Sequence, residues 1–367
     1  MRIGYDAKRL FNNFTGLGNY SRTLLTNLLA FYPSNDYHLF TPTIGNSTEA
    51  RLLLKGANVH THLPGKGFKP TWRQWGMGKQ AKSYNLGVFH GLSNEIPFGL
   101  QDSTKKIVTI HDLIYKVYPE TYRATDRALY DLKYPSSCKR ADLIIAISNH
   151  TKNDVIKFYD IPENKIKVVY QSVGNEFFVE EMPGRQQLQS FNLPADYCIM
   201  VGSVQPRKNH QAVLNAMGQL EESSRVPLVV VGNGKGYLKK MRILAERLKL
   251  PVYWLTDVTD TETLRVLYTH ALFSLYPSWY EGFGIPVVES LLCETPVITS
   301  SVSSLPEAGQ QGTLLADPSD AEHIAYCIRK MSDSNLADKL GKKGKAFALA
   351  RFKPEITARE LMNCYLT

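Results

Sequence analysis

The chain contains no run approaching the ~18 uninterrupted apolar residues of a membrane-crossing helix, so no transmembrane span is expected. Its first ten residues, MRIGYDAKRL, lack the apolar segment of a signal peptide. Cysteine is scarce. Cys138, Cys198, Cys293, Cys327 and Cys364 are odd in number, far apart and without a CxxC pair. That argues against a disulfide framework and reads as reduced thiols in a cytoplasm. HExxH, Cys/His zinc spacing, a DxD pair, a GxSxG elbow and a Walker loop are all missing, so no metal site, serine nucleophile or P-loop is expected. Basic residues do not gather into a patch interleaved with aromatics, which argues against a nucleic-acid partner.

What is present fits a globular protein. At 367 residues, 43% hydrophobic and 21% charged, the chain is long enough for two domains of ordinary size. The net charge of +9 is one-sided: residues 1–178 carry 23 Lys and Arg against 14 Asp and Glu, and the remainder balances at 20 each. A basic first half suits an anionic surface or substrate, and equally a merely soluble basic domain.

Short apolar runs alternate with segments of helical period, the pattern of α/β units with parallel sheets. In the first half RIGYDA, YHLFTP, NVHTHL, VFHGL, KKIVTIHD, DLIIAIS and KIKVVYQS read as strands, with helices over residues 20–30 and 122–139. The pattern breaks at GNEFFVEEMPGR, where Gly, Pro and clustered charge mark a boundary. It resumes with YCIMVGSV, PLVVVGNG, VYWL, LFSLYPS and PVITS, with helices over 209–220, 237–248 and 261–270 and a helical tail from 320 to 367. This gives a domain over 1–178, a second over 179–350 and a terminal helix over 351–367. Two doubly wound units in tandem should hold ligands at the carboxyl ends of their strands.

Several such strand ends carry chemistry. In SWYEGFGIPVVES, Glu281 lies in the loop leaving a strand, and Glu289 about a turn inside the next helix. Gly282 and Gly284 let backbone approach a ligand, and the helix start offers free N–H groups to a diphosphate. An ionised glutamate only accepts, so it can take two sugar hydroxyls at once. Glu289 can equally be an ordinary first-turn helix acid. In VGSVQPRKNHQ, Arg207 and Lys208 follow a strand and can neutralise a departing diphosphate, or sit solvated in a loop. Gly232, Gly234 and Gly236 are spaced GxGxG rather than as a dinucleotide fingerprint, and read as a packing turn. Gly16 and Gly18 precede a helix where amides can meet phosphate, or serve as a flexible connection. His111 ends a strand in TIHDLIY and can hydrogen-bond substrate or move a proton, although a lone His is more often structural.

Taken together, YEGFGIPVVES, VGSVQPRKN, GLGNY, IHD and ADLIIAISNHTKNDV resemble the retaining glycosyltransferases of the GT-B fold, nearest to the large family four. The resemblance spans nearly the whole chain, and its most specific element is the Glu-x7-Glu spacing. It implies two Rossmann-like domains facing a cleft, with the terminal helix near residues 354–366 returning to the first domain. It also implies roles: Glu289 on the ribose, Glu281 on the transferred sugar, and Lys208 with Arg207 on the diphosphate. Gly282, Phe283 and Gly284 belong to the donor loop, Gly16 and Gly18 pass near the phosphates, and His111 meets the donor from the first domain. Ser203 stands where many members have arginine, which leaves Arg207 as the substitute. The PRKN form is most similar to bacterial mannosyltransferases of surface polysaccharide assembly. GDP-mannose is therefore the expected donor, with UDP- or dTDP-sugars as alternatives and no further cofactor. The acceptor is expected to be a glycan or a polyprenyl-diphosphate-linked oligosaccharide, reached by peripheral contact with the anionic inner face of the plasma membrane. A nucleotide-sugar epimerase of the same architecture and a non-catalytic sugar-nucleotide-binding subunit are the competing readings.

Overall fold

The structure, a computed structural model, describes residues 1–13, 15–45, 47–65, 71–258 and 260–367. Phe14 of the glycine loop and Thr259 of the stretch before the Glu-x7-Glu segment lie outside the described residues. Contacts divide the chain into two compact units, Met1–Ser172 with Pro354–Thr367, and Val173–Lys353.

The first unit is built on a parallel sheet of seven strands in the order β3-β2-β1-β4-β5-β6-β7. These are β1 (Arg2–Asp6), β2 (Asp36–Phe40), β3 (Val59–His62), β4 (Val88–Gly91), β5 (Lys105–Ile110), β6 (Leu143–Ala146) and β7 (Ile166–Val168). The central strands are buried along their length, as a parallel sheet covered on both faces requires, and β3 at the edge is half-buried. Helix Pro354–Leu366 closes this unit: Leu361, Met362 and Tyr365 join its core, and the Tyr365 hydroxyl is 2.7 Å from Nδ1 of buried His90.

The second unit has six parallel strands in the order β10-β9-β8-β11-β12-β13. They are β8 (Cys198–Val201), β9 (Leu228–Val231), β10 (Val252–Leu255), β11 (Phe273–Tyr276), β12 (Val297–Ser300) and β13 (Thr313–Ala316). Residues 174–178 go with this unit because buried Phe177 stands edge-on to Tyr268, 6.2 Å between ring centroids. Gly232 and Gly234 bring the end of β9 against the carbonyls of Gly202 and Val204.

Two local expectations change. The first long helix begins at Gly16 and runs to Phe31, so Gly16 and Gly18 lie within its first turn rather than before it. Strand β13 was not expected. Its TLLA is short and three of its four residues are partly exposed, which hides the apolar run a buried strand shows. All five cysteines are free.

Candidate functional site

Strand order in the second unit reverses between β8 and β11, and crevices at such switch points hold ligands. Both loops flagged in the sequence leave these two strands. After β8, a single tight turn over Pro206–Lys208 ends at Asn209, which takes a left-handed conformation (φ 63°). The Asn209 amide locks that turn by donating to the carbonyls of Pro277, 3.1 Å away, and Pro318, 2.7 Å away. The loops are also stitched by the Trp279 N–H donating to the Arg207 carbonyl at 2.9 Å.

This framework drives three charges into one buried spot. Arg207 Nη1 lies 2.6 Å and Lys208 Nζ 2.7 Å from the same Glu281 Oε1. Lys208 and Glu281 are each 8% exposed. The ammonium also donates to the Tyr276 hydroxyl and stands 4.5 Å from the centre of that ring. Burial alone would raise the Glu281 carboxyl, but Lys208 and Arg207 outweigh it and hold it at about 2. Burial lowers Lys208, and Glu281 opposes that shift. The backbone of Glu281 is pinned as well: its N–H donates to Ser303 Oγ at 3.2 Å, and Ser304 Oγ reaches the carbonyls of Glu281 and Phe283 at 2.9 and 2.6 Å. The cluster carries a net positive charge of one in a low-dielectric setting, an arrangement suited to an anion.

Glu289 sits within helix Ile285–Leu292, which opens at Gly284 with no side-chain cap. Gly284 has φ 134°, and a Cβ there would come within 2.9 Å of Leu305 Cδ2, so only glycine fits this turn. Glu289 makes no ion pair among the described residues. It accepts from the Tyr268 hydroxyl at 3.2 Å, and burial raises it to about 7 against that bond. Ser203 is exposed and accepts from the Gln205 amide at 3.0 Å. Phe283 is buried edge-on to Phe352, with ring centroids 5.4 Å apart, so its ring serves packing.

In the first unit His111 is buried and held at both ring nitrogens. Nε2 donates to the Leu92 carbonyl at 2.8 Å, and Nδ1 accepts from the Gln171 amide at 3.3 Å. Burial lowers it to about 4, so the ring is neutral at pH 7. Gly18 is a packing glycine: a Cβ would sit 1.9 Å from the Asn13 carbonyl oxygen, and its N–H already donates to Asn13 Oδ1 at 3.1 Å. Among the described residues no other part of the chain lies within 4 Å of a Cβ placed on Gly16, so that position is open.

Sequence reasoning missed the partners. Tyr276, Tyr268, Ser303 and Ser304 looked like strand, helix and turn residues; the run SSVSS between apolar segments was the one available signal. It also missed a buried network at the ends of β1 and β4, where Arg73 bridges Asp6 at 2.7 Å and Glu95 at 2.8 Å. Among the described residues no group of three His, Cys, Asp or Glu side chains is placed to hold a metal ion, and no helix is long and apolar enough to cross a membrane.

Two family descriptions match the chain: "Glycosyltransferase Family 4" over residues 14–176 and "Glycosyl transferases group 1" over residues 186–347. The chain belongs to the GT-B glycosyltransferases of this family. Over its whole length, and 99% of the relative's, this glycosyltransferase is 26% identical to an O-antigen chain mannosyltransferase B of Escherichia coli. It is 28% identical over 73% of its length to a serotype-specific mannosyltransferase WbdA of Escherichia coli, of which it spans about a third (34%). Among solved structures, a glycosyltransferase from Rickettsia africae superposes with a TM-score of 0.76 at 16% identity, covering 99% of this chain and 97% of that one. HepE of Anabaena, solved with UDP and glucose, superposes at 0.75 and 16% identity over 100% and 99%. These likenesses establish the fold.

Proposed function

We propose that this glycosyltransferase moves a hexose, with retention, from a nucleoside-diphosphate sugar to a hydroxyl of a growing surface glycan. GDP-mannose is the favoured donor. The observation that carries the reading is the buried Arg207–Glu281–Lys208 cluster at the switch point. Two cations held out of water beside one carboxylate are a preorganised seat for a diphosphate. On donor binding Arg207 and Lys208 turn from Glu281 to phosphate oxygens, and Glu281 is released to accept from sugar hydroxyls. Glu289 accepts from the ribose. Gly16 and His111 are proposed as further donor contacts, His111 through Nδ1.

The bond from the anomeric carbon to the diphosphate oxygen breaks, the bond to the acceptor oxygen forms, and the acceptor proton passes to the departing phosphate on the same face of the sugar. Negative charge grows on that phosphate, where Lys208 and Arg207 stabilise it without a metal. The names of the mannosyltransferase relatives support mannose and a polysaccharide acceptor; the UDP in HepE supports a nucleotide-linked donor.

A peripheral membrane role is supported by helix Ala124–Arg140. It exposes Leu132 (72%) and Leu129 (44%) near the exposed Arg123 and the half-buried Arg127, in the basic half of the chain. Two measurements test the function. A thermal-shift panel of GDP, UDP, dTDP and ADP should single out GDP by a rise in melting temperature. Radiolabelled GDP-mannose with a lipid-linked glycan should then yield labelled glycan; a panel without any shift, or donor converted only to its epimer, overturns the reading.

A further inference from the structure

The loops that carry the charged cluster have a second side. Pro206, Asn209 and Trp279 help wall a cavity of about 770 Å³ that lies against helices His210–Gly218 and Gly236–Arg247, wholly within the second unit. That volume falls within the ~300–1,000 Å³ of small-ligand sites. Two aromatic side chains, Trp279 and Tyr237, line it together with the amides of Gln211 and Asn215 and the cations Lys240 and Arg247. Among the described residues neither side-chain amide and neither cation has an intramolecular partner. Among the described residues no carboxylate lines the cavity; the nearby Asp317 and Asp320 accept hydrogen bonds from Ser319, Glu322 and His323 at the following turn.

We propose that this cavity binds an anionic oligosaccharide of a few residues, at a site separate from the donor's. The apolar face of a pyranose packs on an indole ring, amides exchange hydrogen bonds with vicinal hydroxyls, and the two cations pair with carboxylates on the sugar. A chain held here stays with the enzyme between transfers. Asn209 and Trp279 also hold the Arg207–Glu281–Lys208 loops, so the same two loops form a wall of one site and the floor of the other. The proposal uses family membership only to suggest a glycan, and its test contains no donor, so failure of the GDP-mannose reading leaves it standing.

The experiment titrates a polyuronate tetrasaccharide and a neutral dextran tetrasaccharide into the full chain, following tryptophan fluorescence and calorimetric heat. The polyuronate is expected to bind and perturb the fluorescence, and the dextran to bind at least about tenfold more weakly. Lys240→Gln with Arg247→Gln should remove that preference. Both side chains are exposed, so the melting temperature of this variant should match wild type. Trp279→Phe should weaken both sugars and abolish most of the fluorescence change. No binding, equal binding of the two sugars, or polyuronate affinity unmoved by the double variant overturns the proposal. So does a nucleoside diphosphate whose affinity falls with the double variant, because the cavity would then be a nucleotide site.

Discussion

Holding buried Lys208 beside the largely buried Arg207 costs several kcal/mol unless an anion lies against them, and Glu281 is that anion. Glu281→Gln should therefore lower stability by about 3–5 kcal/mol in urea titration, and adding Lys208→Gln should restore part of it. Equal stability of wild type and single variant would limit Glu281 to a role with substrate. Glu289 behaves differently. Burial holds it at about 7, above the ordinary carboxylate value of 4.5, so folding stability from this group is full below pH 4.5 and is lost as pH rises through 7. Glu289→Gln should raise the melting temperature at pH 8 by a few degrees. In the proposed role, ribose hydroxyls donating to Glu289 would favour its ionised form, so nucleotide affinity should climb with pH up to about 7 and then level; the glutamine variant should show a flat, weaker profile in calorimetry.

Elements were legible where the sheet is buried on both faces. LVVV and LIIA are continuous apolar runs of strand length, and they are the inner parallel strands β9 and β6; FSLY, interrupted by Ser274, is β11. The edge strand β13 gave no such run. The Glu-x7-Glu spacing was readable because Gly284 and Pro286 announce the start of a helix. The pairing of Glu281 with both cations was not, because it depends on contacts across about 73 residues of chain, between the loops after β8 and β11, that no local period encodes. Gly284→Ala tests the turn itself: with φ 134° and Leu305 in the way, it should cost on the order of 1–3 kcal/mol.

Across the whole molecule, His38, His111 and His210 are lowered to about 4 and His90 to about 3, in each case chiefly by burial. Each is depressed below its unfolded value of about 6.5. The unfolded chain thus takes up protons first, and stability should fall as pH drops from about 6.5 towards 3 and change little from these groups above 6.5. Urea midpoints across that window check it. The basic first half predicts that vesicles containing anionic lipid bind the protein and neutral vesicles do not; equal binding removes the membrane from the account. The most direct test of the central claim is the calorimetric affinity of the nucleoside diphosphate chosen by the thermal-shift panel, measured on wild type and on folded Lys208→Gln. The account predicts a loss of at least about tenfold; an unchanged dissociation constant would place the diphosphate elsewhere and contradict it.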